Sequence, residues 1–291
     1  MTESAILYDS SKCSGCKGCQ VQCKQWNMLP SSLSKNEYEF TGSYQSMSDL
    51  NGDTRLLIEF REQEADKGVE WAFSRRACFH CEEPACMEVC PVGAISKLAD
   101  GTVKLDSAKC IGCKYCVAAC PFGVPKYRDN FGVSNKCTLC DDRVAQGREP
   151  ACVQTCPAAA IFYGTQTEMI AAGRTRVEEL KAEGFDKAEL YGVTEMGGMH
   201  SLTVAKYGYE AHGLIRDPKK NDITALLLMA KPLAGLGVAA VIGGLGVSFL
   251  TGLGYNREAR PVESLPVPEA GPTTVPAAEA VPVPDSTKEE K

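Results

Sequence analysis

The sequence predicts an α+β fold. Two interlocked units repeat one small architecture, a small sheet is inserted between them, and a single C-terminal helix crosses a membrane. Three observations carry this reading. All 16 cysteines fall into four groups of four between Cys13 and Cys156. The segments flanking those groups match one another in swapped order. Residues 232–255 carry no charge. The rest of the composition narrows the field. A net charge of −6 gives no global attraction for nucleic acid. A chain of 291 residues can build its own core without disulfide staples. The cysteines therefore need another use.

The first group is Cys13-x2-Cys16-x2-Cys19-x3-Cys23. The second is Cys78-x2-Cys81-x4-Cys86-x3-Cys90, followed by Pro91. The third is Cys110-x2-Cys113-x2-Cys116-x3-Cys120, followed by Pro121. The fourth is Cys137-x2-Cys140-x11-Cys152-x3-Cys156, followed by Pro157. The third group is the ligand run of bacterial ferredoxins, and the others are variants of it. A [4Fe–4S] cube offers four iron corners. Three close cysteines on one tight loop reach three corners, and the fourth points to a neighbouring cube. Disulfides would need an oxidising compartment and rarely use uniform three-residue spacing. Structural zinc pairs distant C-x2-C knuckles, which only the fourth group resembles. Scattered buried thiols do not make four complete sets. The expectation is four [4Fe–4S] clusters, with all sixteen cysteines as iron ligands.

Groups two and three form one ferredoxin-like unit. Val92–Ser96 and Val103–Leu105 flank Asp100-Gly101, which reads as a hairpin between the two loops. Pro157–Phe162 mirrors Pro91–Ile95, and Tyr8–Cys13 mirrors Leu105–Cys110. The strand after group four should therefore pair with the strand before group one. Crossing the fourth cysteine within each unit then assigns the ligands. Cluster one takes Cys13, Cys16, Cys19 and Cys156. Cluster two takes Cys23, Cys137, Cys140 and Cys152. Cluster three takes Cys78, Cys81, Cys86 and Cys120. Cluster four takes Cys90, Cys110, Cys113 and Cys116.

The other elements follow in order. Residues 1–165 form the four-cluster domain, with an insertion at 24–77. Within the insertion, Thr54–Arg61 and Val69–Ser74 read as strands of the small sheet. Trp26 is expected to shield a cluster, and His80 to form a hydrogen bond or face solvent rather than act as a fifth ligand. Residues 166–231 are a helix-and-strand region leading to the membrane. Thr165-x-x-Glu168 is a capping box that opens a helix through Ala182, and Leu202–Tyr207 reads as a strand. No nucleophile–base set, phosphate loop or dinucleotide fingerprint is present, so no catalytic centre is expected.

As a helix, residues 232–255 span about 36 Å, enough for a hydrocarbon core of roughly 30 Å. Small residues recur every four positions (Ala240, Gly244, Ser248, Gly252), which suits packing against partner helices. Lys219, Lys220 and Lys231 on one side and Arg257 and Arg260 on the other leave orientation open. Residues 256–291, rich in Pro, Ala and Glu, read as a disordered tail.

The motifs carry a resemblance. Cys13-Ser-Gly-Cys16-Lys-Gly-Cys19-Gln-Val-Gln-Cys23 with Gln25-Trp26-Asn27 is one part of it. Further parts are Cys78-Phe-His-Cys81-Glu-Glu-Pro-Ala-Cys86, Cys110 to Gly123, Lys136-Cys137-Thr-Leu-Cys140 and Glu149-Pro-Ala-Cys152. Gly197-Gly198-Met199-His200, His212-Gly213-Leu214 and Asp217-Pro218-Lys219 extend it. Over roughly residues 5–256 the chain resembles the iron–sulfur (beta) subunit of membrane-bound respiratory formate dehydrogenase of the N/O type. The resemblance implies a non-catalytic electron-transfer subunit of an oxidoreductase complex. Its implied partners are a molybdenum- or tungsten-pterin alpha subunit that oxidises formate and a membrane cytochrome b gamma subunit that passes electrons to quinone. It implies a single-pass protein of the inner membrane with the cluster domain on the periplasmic side. Arg75-Arg76 is internal and not a twin-arginine leader, so export is expected alongside a partner carrying the signal. The four-cluster pattern is shared with subunits of nickel–iron hydrogenase and other molybdopterin reductase complexes, which form the alternative reading.

Overall fold

The computed structural model describes residues 3–31, 43–65 and 68–253. The chain divides into two compact units, Met1–Gly237 and Val238–Lys291.

The first unit opens with β1 (Ser4–Asp9), buried along its whole length. The first cysteine loop leads into α1 (Gly18–Trp26). The insertion forms a hairpin of β2 (Leu57–Ala65) and β3 (Gly68–Arg76), in register from Leu57↔Arg76 to Ala65↔Gly68. β2 starts and ends later than the predicted Thr54–Arg61, and β3 extends the predicted Val69–Ser74 at both ends. The cause of the late start is a local turn: Thr54 N–H donates to the Asn51 carbonyl at 3.0 Å, and Asp53 N–H donates to Asn51 Oδ1 at 3.0 Å. An asparagine that bonds its own backbone two residues on holds the chain out of a ladder.

The second and third groups lie on α2 (Ala85–Glu88) and α3 (Tyr115–Ala119), with the expected hairpin between them. β4 (Ile95–Lys97) and β5 (Val103–Leu105) pair antiparallel, with Ile95 opposite Leu105. The turn needs Gly101. Its φ is +87°, and a Cβ there would lie 2.0 Å from the His200 ring. A second hairpin, β6 (Lys126–Arg128) and β7 (Val133–Asn135), separates groups three and four. In the fourth group Cys140 immediately precedes α4 (Asp141–Val144) and Cys152 lies on α5 (Ala151–Gln154).

β8 (Ile161–Thr165) returns to β1, and the two pair antiparallel with Tyr8 opposite Ile161 and Ser4 opposite Thr165. This is the long-range closure that the mirrored flanks predict. α6 (Gln166–Ala182) opens on the predicted capping box. Glu168 N–H donates to Thr165 Oγ1 at 3.3 Å, and Thr165 N–H donates back to Glu168 Oε2 at 3.1 Å. β9 (Glu189–Tyr191) and β10 (Ser201–Ala205) complete a four-stranded sheet of order β8-β1-β10-β9. β10 runs parallel to β1, with Ile6 opposite Ser201.

β1 is buried on both sides because two layers use it. Leu7 joins Leu180, Leu202 and Val204 under α6, while Ile6 and Tyr8 face a core that contains Cys19, Cys23 and Cys152. Alternate side chains of one strand thus serve two cores.

α7 runs from Asp222 to Leu253, starting earlier than the Pro232 that the sequence predicts. Among the described residues no helix is long and apolar enough to cross a membrane. The expected tail at 256–291 lies outside the described residues.

Candidate metal centres

The four cysteine loops share one backbone shape. The residue two positions after the first cysteine is left-handed in every case: Gly15 (φ 66°), His80 (φ 50°), Gly112 (φ 71°) and Leu139 (φ 54°). That conformation is cheap for glycine and strained for His80 and Leu139. Such strain persists where the surroundings dictate it, and both side chains are buried. The turn aims an N–H back at the first sulfur. Gly15, His80 and Leu139 N–H groups each donate to Sγ of Cys13, Cys78 and Cys137 at 3.4 Å. Cys110 Sγ instead accepts from Ser134 N–H, on β7, at 3.5 Å.

The prolines after the fourth cysteines also act alike. Gly93, Gly123 and Ala159 are left-handed three residues beyond Cys90, Cys120 and Cys156. Ala94 N–H donates to Cys90 Sγ at 3.2 Å, and Ala160 N–H donates to Cys156 Sγ at 3.3 Å. Group one has Lys24 in place of proline. There the helix simply continues to Trp26, and Asn27 Nδ2 faces Cys23 Sγ at 3.8 Å.

The fold gathers sulfurs from distant loops. Cys13, Cys16, Cys19 and Cys156 line one pocket beside Tyr8 and Ile58. Cys23, Cys137, Cys140 and Cys152 line another beside Leu56 and Arg75. Cys90, Cys110, Cys113 and Cys116 line a third. Cys81 lies within electrostatic reach of Cys78, Cys120 and Cys86. Phe79, Phe122, Tyr191 and Met199 pack in the core that includes Cys78, Cys81 and Cys120.

Burial pushes the Cys19 and Cys140 thiols up to about 12, and Cys81, Cys86 and Cys152 also rise. Empty, these pockets favour neutral thiols; a coordinated metal removes the protons outright. Two buried cations argue for the charged state. Arg75 is 6% exposed and Lys136 is 2% exposed. Arg75 Nη2 reaches Cys152 Sγ at 3.7 Å, and Lys136 Nζ reaches Cys78 Sγ at 3.6 Å. Burial pulls both groups toward their neutral forms, yet the sulfurs facing them raise both overall. A buried cation needs an anion. Thiolates around iron supply one, so the donor set and its surroundings fit iron–sulfur clusters.

Comparison with known proteins reaches the same place. Two family profiles, each described as a 4Fe-4S dicluster domain, match residues 69–166 and 12–94. The chain is 40% identical over 261 residues to the nitrate-inducible formate dehydrogenase iron–sulfur subunit of Escherichia coli K12, covering 88% of this chain and 87% of that one. It is 39% identical over 251 residues to the formate dehydrogenase iron–sulfur subunit of Haemophilus influenzae, covering 84% and 78%. The chain belongs to the formate dehydrogenase iron–sulfur subunit family. It is also 38% identical over 169 residues to one subunit of the anaerobic dimethyl sulfoxide reductase of Escherichia coli K12, covering 58% of this chain and 76% of that subunit.

This iron–sulfur subunit therefore carries four [4Fe–4S] clusters and serves as an electron-transfer subunit, not as the catalyst of its complex. The profile windows follow chain order, whereas the sheet joins the first group's unit to the fourth.

Two expectations for the iron–sulfur subunit change once the side chains are placed. Trp26 does not line the cysteine cavities described above. Its ring lies 4.4 Å from the Arg143 guanidinium and 5.3 Å from that of Arg148, and its Nε1–H donates to Asp142 at 2.9 Å. It clamps the helix that follows Cys140. For His80 the change is only that the solvent-facing alternative falls away: it is fully buried, and it makes the expected hydrogen bond, Nδ1 accepting from Val103 N–H at 3.0 Å. Burial, with Lys136 beside it, holds the imidazole well below its usual range.

Sequence reasoning missed Arg75, Lys136 and Ser134. A signal exists for the first two: Lys136 directly precedes Cys137, and Arg75 stands three residues before Cys78.

Proposed function

We propose that this chain relays electrons, one at a time, from a formate-oxidising subunit with molybdenum or tungsten on a pterin to a membrane cytochrome b and so to quinone. The bound clusters supply one-electron redox chemistry; the chain holds, orders and insulates them. The ligand sets are Cys13, Cys16, Cys19 and Cys156 for cluster one, and Cys23, Cys137, Cys140 and Cys152 for cluster two. They are Cys78, Cys81, Cys86 and Cys120 for cluster three, and Cys90, Cys110, Cys113 and Cys116 for cluster four.

One observation carries the wire. Of the sixteen cysteines, Cys16 and Cys113 are the exposed ones. They belong to sets one and four, which makes these the two ends. The interior contacts support the order between them. Arg75 faces Cys19 of set one as well as Cys152 and Cys137 of set two. Lys136 faces Cys78 of set three and Cys137 of set two. Cys86 of set three shares a core with Cys110 and Cys116 of set four.

Residues 1–165 hold the clusters, and 166–231 lead to the membrane. Residues 232–255 cross it once, and 256–291 are a tail. The cluster domain faces the periplasm. The charge-free sequence of 232–255 supports the anchor.

The test is an anaerobically purified complex. About sixteen iron and sixteen sulfide per chain are expected, and formate, not hydrogen, should reduce the clusters. Reduction by hydrogen alone would move the chain to a hydrogenase complex. Cys156→Ser should alter the signal of cluster one only. Deleting residues 232–291 should release the soluble part from membranes.

A further inference from the structure

The two ferredoxin-like units meet at a buried lysine. Lys136 ends β7's extension and directly precedes Cys137, yet its side chain turns toward the other unit. The ammonium has three N–H donors, and all three are used. One faces Cys78 Sγ at 3.6 Å, one donates to the Cys137 carbonyl at 3.0 Å, and one donates to the Val103 carbonyl on β5. Val103 N–H in turn donates to His80 Nδ1 at 3.0 Å, so the residue that receives the lysine is held at both its N–H and its carbonyl.

Among the described residues Lys136 has no carboxylate partner. The half-buried cations Arg76 and Lys126 share Asp49, and Arg128 pairs with Asp53. Among the described residues the fully buried Arg75 also lacks a carboxylate and faces Cys152 Sγ at 3.7 Å, whereas Arg143 rests on the Glu149 carbonyl, Gln154 and the Trp26 ring. An ammonium taken fully out of water and given no carboxylate is placed for a different anion. The anions on hand are sulfurs: Cys78 Sγ lies 3.6 Å from Nζ, and Cys137 is the next residue in the chain.

We propose that Lys136 is a positioning residue for the electron step between the units: a fixed positive charge that raises the reduction potentials of the two inner clusters. This rests on the ligand sets given above, which place Cys78 in cluster three and Cys137 in cluster two. Reduction adds one negative charge to a cluster. A unit positive charge a few ångströms away, in a water-excluded interior, favours the reduced form. Because one ammonium serves both neighbours, it moves both potentials in the same direction. The step between the units then stays close to level while both inner centres remain easier to reduce than bare burial would leave them.

The test uses the full complex, purified anaerobically, with Lys136→Met, Lys136→Gln and Lys136→Arg. Each cluster is followed by a redox titration monitored by electron paramagnetic resonance. With Met and Gln, iron and sulfide should be unchanged. Two of the four clusters should become about tenfold harder to reduce, about 59 mV for a one-electron couple. The other two should stay in place, and Arg should restore most of the shift. Cys78→Ser and Cys137→Ser identify the inner signals. If these two perturb one and the same signal, the ligand sets fall and the lysine's placement between two clusters falls with them. If they perturb different signals and neither signal moves in Lys136→Met, the ligand sets stand and the role of Lys136 is refuted. Loss of iron in both Met and Gln, with the remaining potentials unmoved, would make the lysine a strut and overturn the proposal.

Discussion

In the unit built from groups two and three, β4 and β5 meet across a turn a few residues long, with Lys97 opposite Val103. In the unit built from groups one and four, the equivalent pairing joins Tyr8 to Ile161. The left-handed position after each first cysteine recurs in both, but Cys110 Sγ accepts from Ser134, and group one has no left-handed residue three positions beyond its fourth cysteine. The larger difference is the closure. Closing the longer loop costs about 2–3 kcal/mol more chain entropy, since the penalty grows only with the logarithm of length. The long-range unit has what the local one lacks: β10 beside β1, and α6 over both. Leu180 and Leu202 are fully buried there, and each such side chain contributes about 1.5–3 kcal/mol. Extra burial thus offsets distant closure. It also makes one unit depend on β1 through a whole ladder, while the other meets β1 at the Asp100 carbonyl, which accepts from Ser4 N–H at 3.0 Å.

The largest expected effect tests that dependence. Ile6 is 1% exposed and packs with Cys23, Leu56 and Leu139. Ile6→Asp would bury an unpaired carboxylate in the long-range unit, at a cost of at least about 3 kcal/mol. The variant should retain about half of its iron, with signals of sets three and four intact. Iron analysis and electron paramagnetic resonance check it. Even loss across all four signals would mean that the units are not closed separately.

A smaller effect distinguishes the loops themselves. A Cβ on Gly112 would stand 2.2 Å from the Gly132 carbonyl oxygen, which is backbone and cannot yield. One on Gly15 would meet ring atoms of Phe73 at 2.8 Å and Phe60 at 3.0 Å. Those rings sit on the inserted hairpin and can shift. Gly112→Ala should destabilise by about 3 kcal/mol and Gly15→Ala by about 1–2 kcal/mol. Anaerobic thermal unfolding gives the order. Equal losses would mean that left-handed strain alone, and not the opposing group, sets the cost.

The contrast also explains what sequence could and could not reveal. The cysteine spacings and the mirrored flanks display the repeat, so the pairing of Tyr8 with Ile161 is legible without coordinates. Left-handed turns are legible at Gly15 and Gly112. At His80 and Leu139 they are hidden, because packing there overrides the intrinsic preference of the residue. The β6–β7 hairpin is hidden because Lys126-Tyr127-Arg128 has no apolar alternation to announce a strand. Arg75 and Lys136 look like ordinary solvated cations in the sequence. Their burial arises only when sulfurs from separate loops converge on them, a long-range fact that no local pattern carries. The charge-free stretch announces a helix, but not that it begins as early as Asp222.

The smallest effect again separates the units, through His212. The imidazole is 2% exposed and fastens the segment after β10 to the long-range unit. Its Nδ1–H donates to the Phe73 carbonyl at 3.1 Å, and Ser74 Oγ donates to the His212 carbonyl at 2.7 Å. With Nδ1–H on the Phe73 carbonyl, Nε2 of the neutral ring is the acceptor: Ser10 Oγ lies 3.3 Å from it and Tyr207 N–H points at it from 3.4 Å. A proton on Nε2 would face the Tyr207 N–H. Burial accordingly pulls the group down to about 4. The unfolded histidine titrates near 6.5, so the unfolded chain binds the proton first as pH falls. The stability that His212 contributes is present above about pH 6.5 and drains away toward pH 4. Between pH 7 and pH 5.5 the loss is about 1 kcal/mol. His212→Gln keeps a donor and an acceptor but does not titrate, so its unfolding temperature should fall less than wild type's over that interval. If the two fall in parallel, acid acts on the chain elsewhere and the histidine is not the fastener that separates this unit from its neighbour.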